Sequence, residues 1–324
     1  MTPPWGRRRR DAPEPGDGWD DGLDDGPYED DAYDDGPYDE EPYLDDAPAR
    51  RRASFSMPRI DPNLVSRTLV AIPGIFVAIL VVYAGGALFM AVMCLLAVLA
   101  LLEFYSLTAA HRPLRWAGYL GAILMIVLAW YRESPPYGAL QGLAIGAGLV
   151  AIAAITVGRV EDITVRVSIT ALGLGYVGFA FAMLMALREL PHGGGAVANV
   201  LVGVWAFDTA SYVGGKLRGT IPVAPRISTG KTLEGLVTGL VVGVLAVVVA
   251  GLYLDWLSAW QSALLGFVIC VASFVGDLFE SALKRDAGAK DSGRLLLGHG
   301  GVLDRFDAMM FASVAAYFVT VWLL

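Results

Sequence analysis

From residue 68 onward the chain is a succession of apolar stretches, each near the ~20 residues that a helix needs to cross a hydrocarbon core. They fall at about 68–84, 87–107, 117–131, 137–157, 165–187, 196–215, 233–254, 259–283 and 305–324. The first two are separated only by Gly85-Gly86, but Leu69 to Leu107 is too long for one crossing, so two spans with a tight turn are expected. Strand-type alternation is absent, which disfavours a β-barrel. The expected fold is therefore all-α: a polytopic integral membrane protein of about nine transmembrane helices. Charged residues make up only 17% of the chain, well below a soluble protein's usual quarter. Cys94 and Cys270 both sit in apolar runs, and two cysteines build no disulfide framework.

The charge is divided unevenly. Residues 1–57 hold 17 Asp/Glu against 7 Arg, whereas the remainder is close to neutral. Repeated Asp-Gly-Pro-Tyr units and dense like charge predict a disordered acidic tail over 1–57. Its spacing does not fit a calcium loop, and no apolar run follows Arg7–Arg10 to make a secretory signal. The body divides into N-terminal spans, 58–195, and a C-terminal region, 196–324, that carries the chemistry. Alternate inter-span segments carry 18 bases on one side and only Arg132 and Arg188 on the other. By the positive-inside rule the N-terminus is cytoplasmic and the C-terminus outside. Arg50, Arg51, Arg52, Arg59 and Arg67 would lie against anionic membrane lipid.

Charges within spans are costly, so those present mark function. Asp208 shares a helical face with Ser211 and Tyr212 at i+3 and i+4. Asp277, Glu280, Ser281 and Lys284 fall at i, i+3, i+4 and i+7, one stripe aimed at the cytoplasmic side. Acids cannot snorkel far, and one base cannot neutralise two of them, so a purely structural role for Asp277 is disfavoured.

Two basic loops flank these spans. One runs Arg226-Ile227-Ser228-Thr229-Gly230-Lys231-Thr232-Leu233-Glu234-Gly235. Its Gly-Lys-Thr suggests a P-loop, but that motif needs Gly where Pro225 stands, and no βαβ context surrounds it. What remains is a loop of hydroxyls, backbone amides and a lysine that enters a helix N-terminus suited to phosphate. The second runs from Lys284-Arg285 through Lys290-Asp291 to Gly298-His299-Gly300-Gly301 and Asp304-Arg305-Phe306-Asp307. Its glycines allow a ligand close to the backbone, and its carboxylates suit a hard divalent cation that holds a polyphosphate. Three histidines and two distant cysteines argue against zinc.

Ser281-Ala-Leu-Lys284-Arg285, Lys290-Asp291 and Gly298-His299-Gly300-Gly301-x-x-Asp304-Arg305-x-Asp307 together closely resemble the signature of phosphatidate cytidylyltransferases. Ser228-x-x-Lys231-Thr232-x-Glu234-Gly235 resembles a second segment of that family. Thr229 stands where the family usually has Pro, and Leu233 where it often has Trp. The likeness covers roughly residues 200–324. It implies that CTP and phosphatidate give CDP-diacylglycerol and pyrophosphate, with magnesium as cofactor and a second, monovalent cation left open. On this expectation Asp277, Lys284, Asp304 and Arg305 are catalytic. Asp277 and Asp304 ligate the metal with Glu280, and Asp307 is in support. Lys231, Lys284, Arg285, Lys290 and Arg305 hold phosphates, and Ser228, Thr232 and Ser281 supply hydroxyls. Glu234, Asp291, His299, Gly300, Gly301, Asp307 and Asp208 complete the substrate site. The expected partners are CTP, phosphatidate and membrane lipids, not nucleic acid, with a homodimer left open.

Three other classes compete. An ion-coupled transporter would place its charges near the bilayer midplane and repeat them in two halves. Here they gather toward one face of the C-terminal third. A CTP-dependent polyprenol or lipid kinase would share the nucleotide, but the long Gly-His-Gly-Gly-x-x-Asp-Arg run speaks against it. A CDP-alcohol phosphotransferase is excluded because its Asp-Gly-x-x-Ala-Arg run is missing.

Overall fold

The structure is a computed structural model, and it describes residues 74–132, 134–157, 162–293 and 300–324. The acidic segment 1–57, the bases Arg50 to Arg67, and Arg159, Arg294, Gly298 and His299 lie outside the described residues. The described chain is a bundle of helices. These are α1 (Gly74–Ala84), α2 (Gly86–Leu107), α3 (Arg115–Tyr131), α4 (Pro135–Thr156), α5 (Ile163–Gly173), α6 (Phe179–Arg188), α7 (Gly193–Arg218), α8 (Leu233–Gly251), α9 (Ala259–Asp286) and α10 (Leu303–Leu323). A π turn, Leu174–Gly178, joins α5 and α6 into one continuous rod. Among the described residues, each expected apolar stretch falls on one helix or, for 165–187, on this rod. Seven are long and apolar enough to cross a membrane, while Gly74–Ala84 and Arg115–Tyr131 are shorter.

The cut at Gly85-Gly86 has a clear backbone cause. Both glycines adopt positive φ, +60° and +52°, which ends α1 and restarts the chain as α2. Arg188 at the end of α6 donates from Nε to the Val82 carbonyl at 2.9 Å, so a carbonyl freed at the end of α1 gains a partner.

Small residues set the helix spacing, as expected where lipid supplies no hydrophobic drive between helices. Gly121 of α3 faces Gly146 of α4, and a methyl on either would come within 3.1 Å of the other's Cα. On α8 the buried residues Gly235, Gly239 and Gly243 recur every fourth position and turn toward α7. A methyl at Gly235 would lie 2.7 Å from the Ser211 carbonyl oxygen. The other side of α8 exposes Val237, Val241, Leu245 and Val249. This one-sided glycine stripe brings the polar face of α7 against the N-terminus of α8.

The segment before α8 is a small hairpin, where the sequence suggested only a loop. Strand β1 (Pro222–Ala224) pairs antiparallel with β2 (Ser228–Thr232). A turn joins them in which Ile227 N donates to the Ala224 carbonyl at 3.0 Å. Pro225, the residue incompatible with a P-loop, occupies the second position of that turn, where a fixed φ is favoured.

Between α9 and α10 the close point is Gly276, where a methyl would meet the Asp307 carbonyl oxygen at 2.6 Å. Gly276→Ala must therefore move two helices apart, at a cost of about 1–3 kcal/mol. The expected result is a lower thermal unfolding midpoint of the purified protein in detergent. Gly148→Ala, whose methyl meets nothing within 4 Å, should not lower the midpoint.

Candidate active site

The glycine contacts just described gather chemistry from α7, α8, α9 and the hairpin around one open cavity of about 220 Å³. Its walls include Asp208, Ser211 and Tyr212 of α7, so the three residues that share a helical face do face one space. Gly230, Lys231 and Thr232 of β2 and Asp277 of α9 complete its polar lining. Across it Lys231 Nζ meets Asp277 Oδ2 at 2.6 Å, with the lysine side chain 18% and the aspartate 36% exposed. The ammonium also lies 5.4 Å from the centre of the Phe274 ring. Ser281, one turn further along α9, donates to Asp277 Oδ1 at 3.4 Å.

The hairpin is held in place from several sides. Thr232 caps α8, its Oγ1 accepting from Gly235 N at 3.3 Å. Glu234 accepts from the Thr220 hydroxyl and from Ile221 N, so it braces the hairpin's entry and does not face the cavity. Arg285 donates from Nε to the Ile227 carbonyl at 3.4 Å, linking the end of α9 to the hairpin turn. Ser228, at the start of β2, is half-buried beside that turn.

A second polar cluster lies one turn along α9 from the first. Lys284 bridges Glu280, four residues earlier on its own helix, and Asp304 of α10, whose Oδ1 is 2.9 Å away. Glu280 is fully buried. Asp304 collects further donors: Ser292 N reaches both of its oxygens at 3.1 Å, and Gly301 N reaches Oδ2 at 2.9 Å. Gly300, at φ +81°, turns the chain so that this amide points at the carboxylate. Asp307, half-buried at the close point of α9 and α10, accepts from Ala308 N at 2.6 Å and adjoins the helix segment that carries Asp277.

The expected residues thus divide into two groups. Asp208, Lys231, Thr232 and Asp277 line the cavity, and Ser281 supports Asp277. Glu280, Lys284 and Asp304 form the second cluster, with Gly301 donating into it. Lys290, Asp291 and Arg305 are exposed around the loop between α9 and α10. Sequence reasoning missed Glu103 of α2, a buried carboxylate that accepts from Leu303 N at the start of α10. It also missed Tyr176, a buried phenol on the π turn stacked edge-on against Phe279 at 5.1 Å between ring centres. An acid in an apolar run was a readable clue for Glu103.

Among the described residues, no three or more His, Cys, Asp or Glu side chains are drawn together as an all-protein metal cage. The arrangement instead offers an anion-seeking lysine, hydroxyls and a helix N-terminus beside paired carboxylates, the makings of a phosphate site.

Residues 65–323 match the model of the Cytidylyltransferase family. Among curated proteins, a phosphatidate cytidylyltransferase of Mycobacterium tuberculosis (strain H37Rv) is 33% identical over 243 residues, 68% of this chain and 74% of the relative. One from Staphylococcus haemolyticus is 30% identical over 249 residues, covering 76% of this chain and 94% of the relative. The uncharacterized protein YnbB of Escherichia coli K12 is 37% identical over 233 residues, 69% of this chain and 76% of that protein. With the polar clusters found where the signature residues fall, the chain belongs to the cytidylyltransferase family.

Proposed function

We propose that this protein transfers the cytidylyl group of CTP to phosphatidate within the membrane, releasing pyrophosphate and forming CDP-diacylglycerol. The observation that carries the reading is the Lys231–Asp277 pair across an open cavity in a bundle of apolar helices. A lipid phosphate oxygen attacks the α-phosphorus of CTP, the new P–O bond forms, and the bond to the β-phosphate oxygen breaks. The nucleophile is already anionic, so no strong general base is needed. The barrier lies in bringing two anions together in line.

The residues present address that barrier. Lys231, held by Asp277, can exchange its partner for a substrate phosphate, while the β2 backbone and the α8 N-terminus contribute N–H dipoles. Lys284 is a second cation, oriented by Glu280 and Asp304. Arg285, tied to the hairpin turn, and the exposed Lys290 and Arg305 would serve as further phosphate contacts.

A divalent cation fits this donor set. Magnesium is commonly held by one or two carboxylates plus substrate phosphates, not by an all-protein cage. Asp277 would hold it, with Asp307 close by across the α9–α10 contact. When bound, the ion would neutralise phosphate charge at the reacting centre. Asp304, whose two oxygens are already engaged by Lys284, Ser292 N and Gly301 N, suits the orientation of Lys284 better than metal ligation. The same reading puts these loops, with the N-terminus, on the cytoplasmic face, where CTP is found and where the bases gather.

The test follows tritium from cytosine-labelled CTP into chloroform-soluble lipid, using purified protein, phosphatidate and magnesium, with and without EDTA. Label in lipid that EDTA abolishes is the expected result. Release of CDP with no labelled lipid would identify a CTP-dependent kinase instead. In the same assay a chain lacking residues 1–45 should transfer label at the full-length rate, because the catalytic residues all lie beyond 200. A large loss would assign the acidic segment a part in turnover.

A further inference from the structure

Glu103 lies on α2, far from both clusters in sequence, and is only 2% exposed. A carboxylate so buried in an apolar helix is expensive to keep without a compensating role. Its Oε2 accepts from Leu303 N at 2.8 Å, the first residue of α10, and from the Ser292 hydroxyl at 3.4 Å. The chain closes tightly around it. A methyl on Gly293 would lie 2.6 Å from Oε1, and one on Gly301 would lie 2.5 Å from Oε2. Ser292 and Gly301 are the residues whose backbone amides hold Asp304. One acid on an early helix thus gathers both ends of the loop between α9 and α10.

We infer that Glu103 is a positioning residue for transfer: by clamping Ser292, Gly301 and Leu303 it fixes Asp304, and through Asp304 it aims Lys284. This rests on the cytidylyl-transfer reading above. The donors it meets among the described residues are a backbone amide and a hydroxyl, so it acts as a hydrogen-bond acceptor. A neutral acceptor of the same shape should therefore serve.

The experiment compares Glu103→Gln and Glu103→Leu in full-length protein in nanodiscs by two measurements. Hydrogen exchange at Ser292, Gly301 and Leu303 should quicken in E103L and stay near the unmodified rate in E103Q. Transfer of label from CTP to lipid should fall about 10-fold in E103L, the lower end of what loss of an outer supporting contact costs, and less than ~3-fold in E103Q. In an Asp304→Ala background E103L should cost less than ~3-fold further, because the link it acts through is already gone. Unchanged exchange in E103L, full additivity with Asp304→Ala, or equal loss in E103Q and E103L would each overturn the inference. If E103L does not assemble, Glu103→Asp, one methylene shorter, carries the same comparisons. The exchange arm needs no turnover, so it tests the clamp on Ser292, Gly301 and Leu303 even in a protein that makes no CDP-lipid, an outcome that would sink the functional reading and with it the role in transfer.

Discussion

Asp277→Asn should lower transfer of the cytidylyl group by about 10³-fold while leaving the helix bundle intact. Asparagine keeps the size of the side chain and can still accept from Ser281, so the packing of α9 is preserved. What it loses is the negative charge that faces both the cavity and Lys231. Two effects are combined in that loss, and magnesium dependence separates them. If Asp277 holds the cation, the residual activity of D277N should demand far more magnesium than the unmodified protein. If its sole task is to park Lys231, the magnesium requirement should be unchanged and Lys231→Met should mimic the defect. Far-UV circular dichroism and a matched elution volume would establish that the protein is folded. Retention of most activity by such a protein would remove Asp277 from the metal site.

The spans were legible because a bilayer leaves few choices: about twenty apolar residues and internally satisfied backbone groups mean a helix. Asp208 and Asp277 were legible for the complementary reason, that an acid in such a helix needs a purpose. The same rule applied to Glu103, but what gives it meaning is the amide of a residue 200 positions away, which no local spacing announces. Asp304 shows a different limit. As a carboxylate of the glycine-rich loop it suggested a cation ligand, whereas its oxygens turn back to Ser292 N and Gly301 N. That choice is made by loop geometry around Gly300, and residue types alone do not encode it. The hairpin escaped notice because β1 and β2 are too short to alternate, and Pro225 reads equally well as loop or turn. The tail's expected disorder and the place of His299 concern residues outside those described.

Lys284 is the second position where one substitution should have a large effect, and here stability and activity should come apart. Its ammonium serves two carboxylates, with Glu280 1% and Asp304 15% exposed at the side chain. Asp304 keeps backbone donors when the lysine is lost, whereas Glu280 is left facing another acid, Asp304. Lys284→Met therefore strands a buried carboxylate, which costs about 3–5 kcal/mol when one member of a buried pair is removed. The expected result is a sharply lower unfolding midpoint together with transfer reduced about 10²-fold or more. Adding Glu280→Gln to K284M removes the stranded charge, so the midpoint should recover most of its loss. Transfer should not recover, because the cation that meets substrate phosphate is still missing. If the double variant regains both, Lys284 is a structural counter-ion for Glu280 and the phosphate contacts lie with Lys231 and the exposed bases. If it regains neither, the methionine itself disturbs the α9–α10 contact, and Lys284→Gln becomes the informative replacement. Recovery of the midpoint without recovery of transfer is the outcome that places Lys284 on the substrate.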